Sequence, residues 1–144
     1  NWISGCCILV KIQAIKEVGL LDNHFFAYFE DVDWSIRMKN QGYKLGVVPK
    51  SIIYHHSSGS TKKNNTSNEG NLSPYAHYLN VRNHIYLINK HALFFNSIGA
   101  MIYQILKITS YSSYFILRCR FEKLKMVWRG MLDGIKTNNI RQIF

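Results

Sequence analysis

Apolar and polar positions along the first part of the chain fall into short blocks with changing periods. Residues 6–10, CCILV, form an apolar run directly after Gly5, and a run this short predicts a buried strand. In KIQAIKEVG, residues 11–19, Ile12, Ile15 and Val18 share one face of a helix, and Gly19 stops it. LLDNHFFAYF then reads as a turn and an aromatic-rich loop. From Asp31 the spacing becomes helical again, pairing Val32 with Ile36 and Trp34 with Met38 at i,i+4. Acids lead this helix, Arg37 and Lys39 close it, and Gly42 ends it, an order that complements the helix dipole at both ends. YKLGVV and SIIYHH predict two strands flanking Pro49.

Residues 57–73, SSGSTKKNNTSNEGNLS, carry too few apolar positions for packed structure and predict a mobile loop. Beyond Pro74 the pattern is helical to the end. YAHYLNVRNHIYLINKHA forms one helix, with Ser73 suited to its N-cap. Residues 92–117 are a long apolar segment and residues 121–136 a basic amphipathic one. Asn96, Gln104, Lys107 and several serines interrupt the apolar segment, leaving no clean run of about 18 apolar residues. It therefore predicts an amphipathic helix or hairpin lying on a membrane or packed on the domain, with a spanning helix as the alternative. RCRFEKLKMVWRG sets basic residues beside Phe121, Met126 and Trp128, the pattern of an interfacial helix.

Composition adds a charge asymmetry. The 144 residues suit one domain or a large part of one, and 47% hydrophobic content supports a core. The net charge of +10 is uneven: residues 1–50 hold six basic and five acidic side chains, residues 51–144 twelve and three. A basic half of this kind seeks phosphate, whether on nucleic acid, a nucleotide-linked substrate or an anionic membrane. Cys6, Cys7 and Cys119 fit neither a disulfide framework nor a CxxC metal spacing, and predict buried small hydrophobes in a reducing compartment. The chain begins without Met, on NWISGCCILV, and shows no signal peptide, so a fragment lacking its N-terminal half is expected.

Three of the eight acids, Glu30, Asp31 and Asp33, follow the run Phe25 to Phe29. The simpler reading makes them helix-capping charges, each stabilising by roughly 0.3–1 kcal/mol. The chemical alternative is a carboxylate at a helix start facing a cleft as general base, beside an apolar wall of rings. In IIYHHSSGS, adjacent histidines on a strand point to opposite faces, so one imidazole at most completes a divalent metal site. Packed or exposed histidines are the simpler reading. SSGS offers hydroxyls and N–H groups to phosphate, Gly5 allows close backbone approach, and Lys62 and Lys63 are either solvated charge or a diphosphate clamp.

In this order, SGCCILVKIQAIKEVGLLDNHFFAYFEDVDWSIRMKNQGYKLGVVPKSIIYHHSSGS resembles the acceptor-side half of family 2 glycosyltransferases, and within them the bacterial rhamnosyltransferase-like members. The RN…KH helix and GMLDGIK add to the likeness. The resemblance implies an α/β fold, a partial GT-A (Rossmann-like) sheet fragment followed by C-terminal amphipathic helices. Residues 1–60 would be the acceptor-side half of the catalytic domain, 61–73 a flexible loop, and 74–144 a helical, basic, membrane-associated tail.

It further implies Asp31 as the catalytic base, with Glu30, Asp33, Trp34 and Phe29 on the acceptor side. Ser4, Gly5, Arg37 and Ser60 would border the donor, and His55 would join a divalent metal, Mg or Mn, whose main carboxylate ligands lie outside this chain. The implied partners are a nucleotide-sugar donor, a glycan or lipid-linked acceptor and a peripheral membrane contact, without nucleic acid. The implied setting is cytoplasmic, at the inner face of the plasma membrane. The only D-x-D is Asp31-Val32-Asp33, which belongs to the acidic motif, so the donor-binding DxD half is missing and the fragment alone is expected to be inactive. The competing readings are a non-catalytic basic module using residues 107–141 and an inactive truncated remnant.

Overall fold

Five helices make up the regular structure of the computed structural model, which describes residues 2–55, 72–91 and 97–141, the side chains of 97 and 138–141 excepted. They are α1 (Ile12–Val18), α2 (Glu30–Asn40), α3 (Pro74–Lys90), α4 (Ser97–Leu117) and α5 (Phe121–Arg141). The expected mobile loop falls largely on residues 56–71, outside the described residues. The chain divides into two compact units, Asn1–Ser57 and Ser58–Phe144.

The α/β expectation is corrected: among the described residues there is no strand, and hence no partial GT-A sheet. CCILV, YKLGVV and the described part of SIIYHH run without regular structure. A strand exists only when a neighbouring strand takes its N–H and C=O groups, and no such ladder forms here. Without a sheet to cover them, Leu9, Val47, Val48 and Ile52 are exposed.

In the first unit, local signals set the helix ends. The Gly19 N–H donates to the Ile15 carbonyl at 2.8 Å, and Gly19 takes φ +84°, where a side chain would be strained. Gly42, at φ +82°, follows α2, with the Tyr43 N–H reaching back to the Met38 carbonyl at 3.0 Å. The buried side of α1 differs from expectation. Ala14 is buried and Ile12 exposed, because α1 turns its small residue toward its neighbours.

The second unit is three helices. Ser73 caps α3 through its Oγ, which accepts from the Ala76 N–H at 3.2 Å, and Pro74 occupies the first turn. Val81, Ile108, Phe115 and Val127 form the core, flanked by Ile85, Tyr111, Leu124 and Met131. Gly130 and Gly134 lie on one face of α5 and let it approach α3 closely. A Cβ at 130 would stand 2.6 Å from the Tyr78 carbonyl oxygen, and one at 134 3.0 Å from Ile85 Cβ. Since a backbone oxygen on a packed helix cannot swing aside, Gly130→Val is expected to force the helices apart. The predicted cost is about 2 kcal/mol, read as a fall of about 10 °C in the unit's melting temperature.

His77 packs edge-on against Tyr111 and Phe115, at centroid distances of 5.6 and 5.0 Å. Burial, with Lys123, Arg120 and Lys107 nearby, pushes its pKa down to about 4. The folded state therefore takes up this proton less readily than the unfolded chain. The unit should lose stability as pH falls from about 6.5 toward about 4, and His77→Phe should flatten that slope in urea titrations. No helix among the described residues is long and apolar enough to cross a membrane, which removes the spanning alternative for them. The cysteines also differ from expectation: all three are free and exposed, since the segments around Cys6 and Cys7 join no sheet.

Candidate active site

The chain reaches α2 through a tight, strained loop. Asp22 starts it: its Oδ1 accepts from the His24 N–H at 2.9 Å and its carbonyl from the Phe25 N–H at 3.1 Å. Phe25 is wholly buried and pins the loop. Phe26, Tyr28 and Phe29 then take φ of 61°, 69° and 72°. Left-handed backbone costs a non-glycine residue roughly 1–2 kcal/mol, so the surrounding structure must hold this turn. Phe29 stands at the N-cap position of α2 without a side-chain cap, and the acids of the first turn supply the charge complement instead.

Asp31 receives two backbone donors. Its Oδ2 accepts from the Gly5 N–H at 2.7 Å and its Oδ1 from the Val32 N–H at 2.8 Å. Glycine makes the first contact possible, because a Cβ on residue 5 would sit 3.2 Å from Asp31 Cβ. The Asp31 side chain is thereby fixed while the residue stays partly exposed. Glu30, its neighbour, sits differently. Its Oε2 is sealed from solvent without a hydrogen-bond partner, and burial, opposed by its backbone hydrogen bond and aided by the Asp31 charge, raises its pKa. Two adjacent carboxyls in unlike surroundings suit the division between proton acceptor and proton holder that acid–base chemistry uses.

Asp33, Ser35, Ile36 and Met38 of α2 face inward. Asp33 is wholly buried and takes the Arg37 Nε–H on its Oδ2 at 2.8 Å. The same guanidinium donates from Nη1 to the Val18 carbonyl at 2.7 Å and from Nη2 to the Leu20 carbonyl at 2.8 Å. Arg37 thus ties α2 to the end of α1. Trp34 adds a second tie, donating its indole N–H to the Gly19 carbonyl at 2.9 Å. Its ring also lines a cleft of about 460 Å³, mostly apolar, bounded by residues 8–11 and 42–46. Sequence reading missed Ser35, whose Oγ accepts from the Ile3 N–H at 3.2 Å and anchors the segment leading to Gly5. A small hydroxyl four positions after Asp31, among apolar neighbours, was the available signal.

The structure therefore brings Gly5, Phe29, Glu30 and Asp31 together, and joins Asp33 to Arg37. Ser4 is exposed, its hydroxyl 3.4 Å from Cys6 Sγ. His55 is exposed, and no hydrogen bond or ion pair joins it to Glu30 or Asp31 among the described residues. Ser60, Lys62 and Lys63 lie outside the described residues. No group of three His, Cys, Asp or Glu side chains among the described residues is placed to hold a metal ion. A cation at His55 would take its carboxylates from outside the described residues.

Comparison with known proteins shows partial likeness to sugar transferases. The chain is 37% identical over 67 residues to the N-acetylglucosaminyl-diphospho-decaprenol L-rhamnosyltransferase of Mycobacterium tuberculosis, covering 46% of this chain and 22% of that protein. It is 25% identical over 129 residues to the dTDP-rhamnosyl transferase RfbF of Shigella flexneri, covering 89% and 43%. Over 119 residues it is 24% identical to the low-salt glycan biosynthesis hexosyltransferase Agl10 of Haloferax volcanii, covering 83% and 36%. The chain thus spans less than half the length of these relatives. No family model and no solved structure matches it.

Proposed function

We propose that this chain is part of a family 2 glycosyltransferase that moves a sugar, rhamnose on the strength of its relatives' names, from a nucleotide-diphosphate donor to a glycan or lipid-linked acceptor with inversion. The observation that carries the reading is the Asp31 carboxylate. It is held at the start of α2 by the Gly5 and Val32 N–H groups, within the acidic motif that prompted the resemblance. Such a group, fixed yet open, can take the proton of an acceptor hydroxyl as its oxygen attacks the anomeric carbon. Gly5 keeps the carboxylate in place, and Arg37 with Asp33 sets the helix that presents it.

A second reading rests on Glu30, whose orphaned oxygen and raised pKa suit a base as well. The reading also carries a cytoplasmic protein, peripheral at the inner face of the plasma membrane. A divalent metal, with His55 as one ligand, belongs to it only with carboxylates from outside these residues. Transfer of labelled sugar by the full-length protein, compared with Asp31→Asn and Glu30→Gln, tests both readings. Absence of transfer alongside salt-sensitive retention on DNA would favour the basic binding module instead.

A further inference from the structure

The polarity of α4 is turned inside out over its first half. Ile98, Met101, Ile102, Ile105 and Leu106 are each more than half exposed, and Tyr103 stands exposed beside them. Two polar side chains of the same helix, Gln104 and Lys107, face the bundle instead. Gln104 is buried, its Oε1 3.0 Å from His84 Nδ1 and its Nε2 without a partner. Lys107 is half-buried and donates to Asn80 Oδ1 at 2.7 Å. Water favours the reverse arrangement, whereas hydrocarbon favours this one.

Length and charge narrow what covers this face. The outward stripe from 98 to 106 is about 13 Å long at the rise of a helix, and beyond it Thr109, Ser110 and Ser113 are exposed, so immersion can only be shallow. Met101 and Ile105 share a groove of about 250 Å³ with Ile85, Ile88, Met131 and Ile135, so the apolar surface continues across all three helices. Lys136 is exposed beside Ile135, Lys90 closes α3 beside Asn89 at the groove's edge, and among the described residues no acid lines that groove. An apolar stripe with a basic border complements anionic headgroups over acyl chains.

We propose that the first half of α4 seats on an anionic phospholipid surface, lying in its plane with Ile98, Met101, Ile102, Ile105 and Leu106 among the acyl chains. This rests on the peripheral placement proposed above and names its surface and its lipid charge. Vesicle binding needs no sugar donor, so it stands or falls apart from the transfer reaction.

The experiment is sedimentation of the full chain with phosphatidylcholine vesicles, with and without phosphatidylserine, for the wild type, Ile102→Glu/Ile105→Glu and Lys136→Glu. Circular dichroism checks that each variant keeps its helices. The wild type should bind the anionic vesicles. The double variant should bind roughly tenfold more weakly per residue replaced. Lys136→Glu should weaken binding several-fold, and only to anionic vesicles. Absence of wild-type binding, or equal binding by the double variant, would overturn the proposal. So would a wild-type dimer that the double variant converts to monomer without any vesicle binding, since a second copy would then cover the face.

Discussion

Asp31→Asn in the full-length protein is expected to lower sugar transfer by about 10²–10⁴-fold, the share a positioned general base contributes. The fold should survive. Asn keeps the size of Asp, and its Oδ1 can still accept one of the two N–H groups that reach Asp31 from Gly5 and Val32. The other donor then faces an amide NH₂, a loss of about 1 kcal/mol. Melting temperature and circular dichroism therefore stay near wild type while turnover collapses. Asn cannot accept a proton at neutral pH, so acceptor binding measured without turnover should change little. Full activity in Asp31→Asn with loss in Glu30→Gln would move the base to Glu30, whose raised pKa would then appear as an acid limb above the usual carboxylate range.

Arg37→Met is expected to destabilise the first unit by about 3 kcal/mol, more than any other single replacement considered for it. Asp33 has no exposure, so losing the guanidinium removes the ion pair of a buried carboxylate, and the Val18 and Leu20 carbonyls lose donors as well. The Arg37 side chain keeps 21% exposure, so water can partly replace it, and the loss should fall at the low end for a broken buried pair. Urea unfolding followed by Trp34 fluorescence gives the value. Adding Asp33→Asn should recover part of the loss by removing the buried charge that Arg37 balanced. An unchanged midpoint in Arg37→Met would mean that the pair holds nothing.

Residue by residue, the helices were the legible part. Gly19 and Gly42 ended α1 and α2 as their positions indicated, and Ser73 capped α3. These signals act within one turn, where local backbone bonding decides the outcome. The strands were illegible for the opposite reason. CCILV and YKLGVV look like strands by apolar content, yet a strand requires a partner that no local pattern supplies, and none is present among the described residues. The acids of α2 divided in a way their spacing did not show. Asp33 went inward to Arg37, Asp31 stayed partly open, and Glu30 kept an oxygen without a donor. Nothing in Phe26, Tyr28 or Phe29 announced left-handed backbone, because side chains of this size disfavour it everywhere else.

What the sequence alone determined is where α1 and α2 stop, where α3 starts, and the concentration of positive charge after residue 50. Tertiary structure decided which carboxylate meets Gly5, which face of α4 is left outside, and that Gly130 must admit the Tyr78 carbonyl. The division has a physical cause. Caps and terminators work through bonds between residues three or four apart, whereas the Gly5–Asp31 bond joins positions 26 apart and the Tyr78–Asp133 bond positions 55 apart. Such partners are chosen only when burial brings distant segments together, and the chain's apolar pattern leaves that choice open.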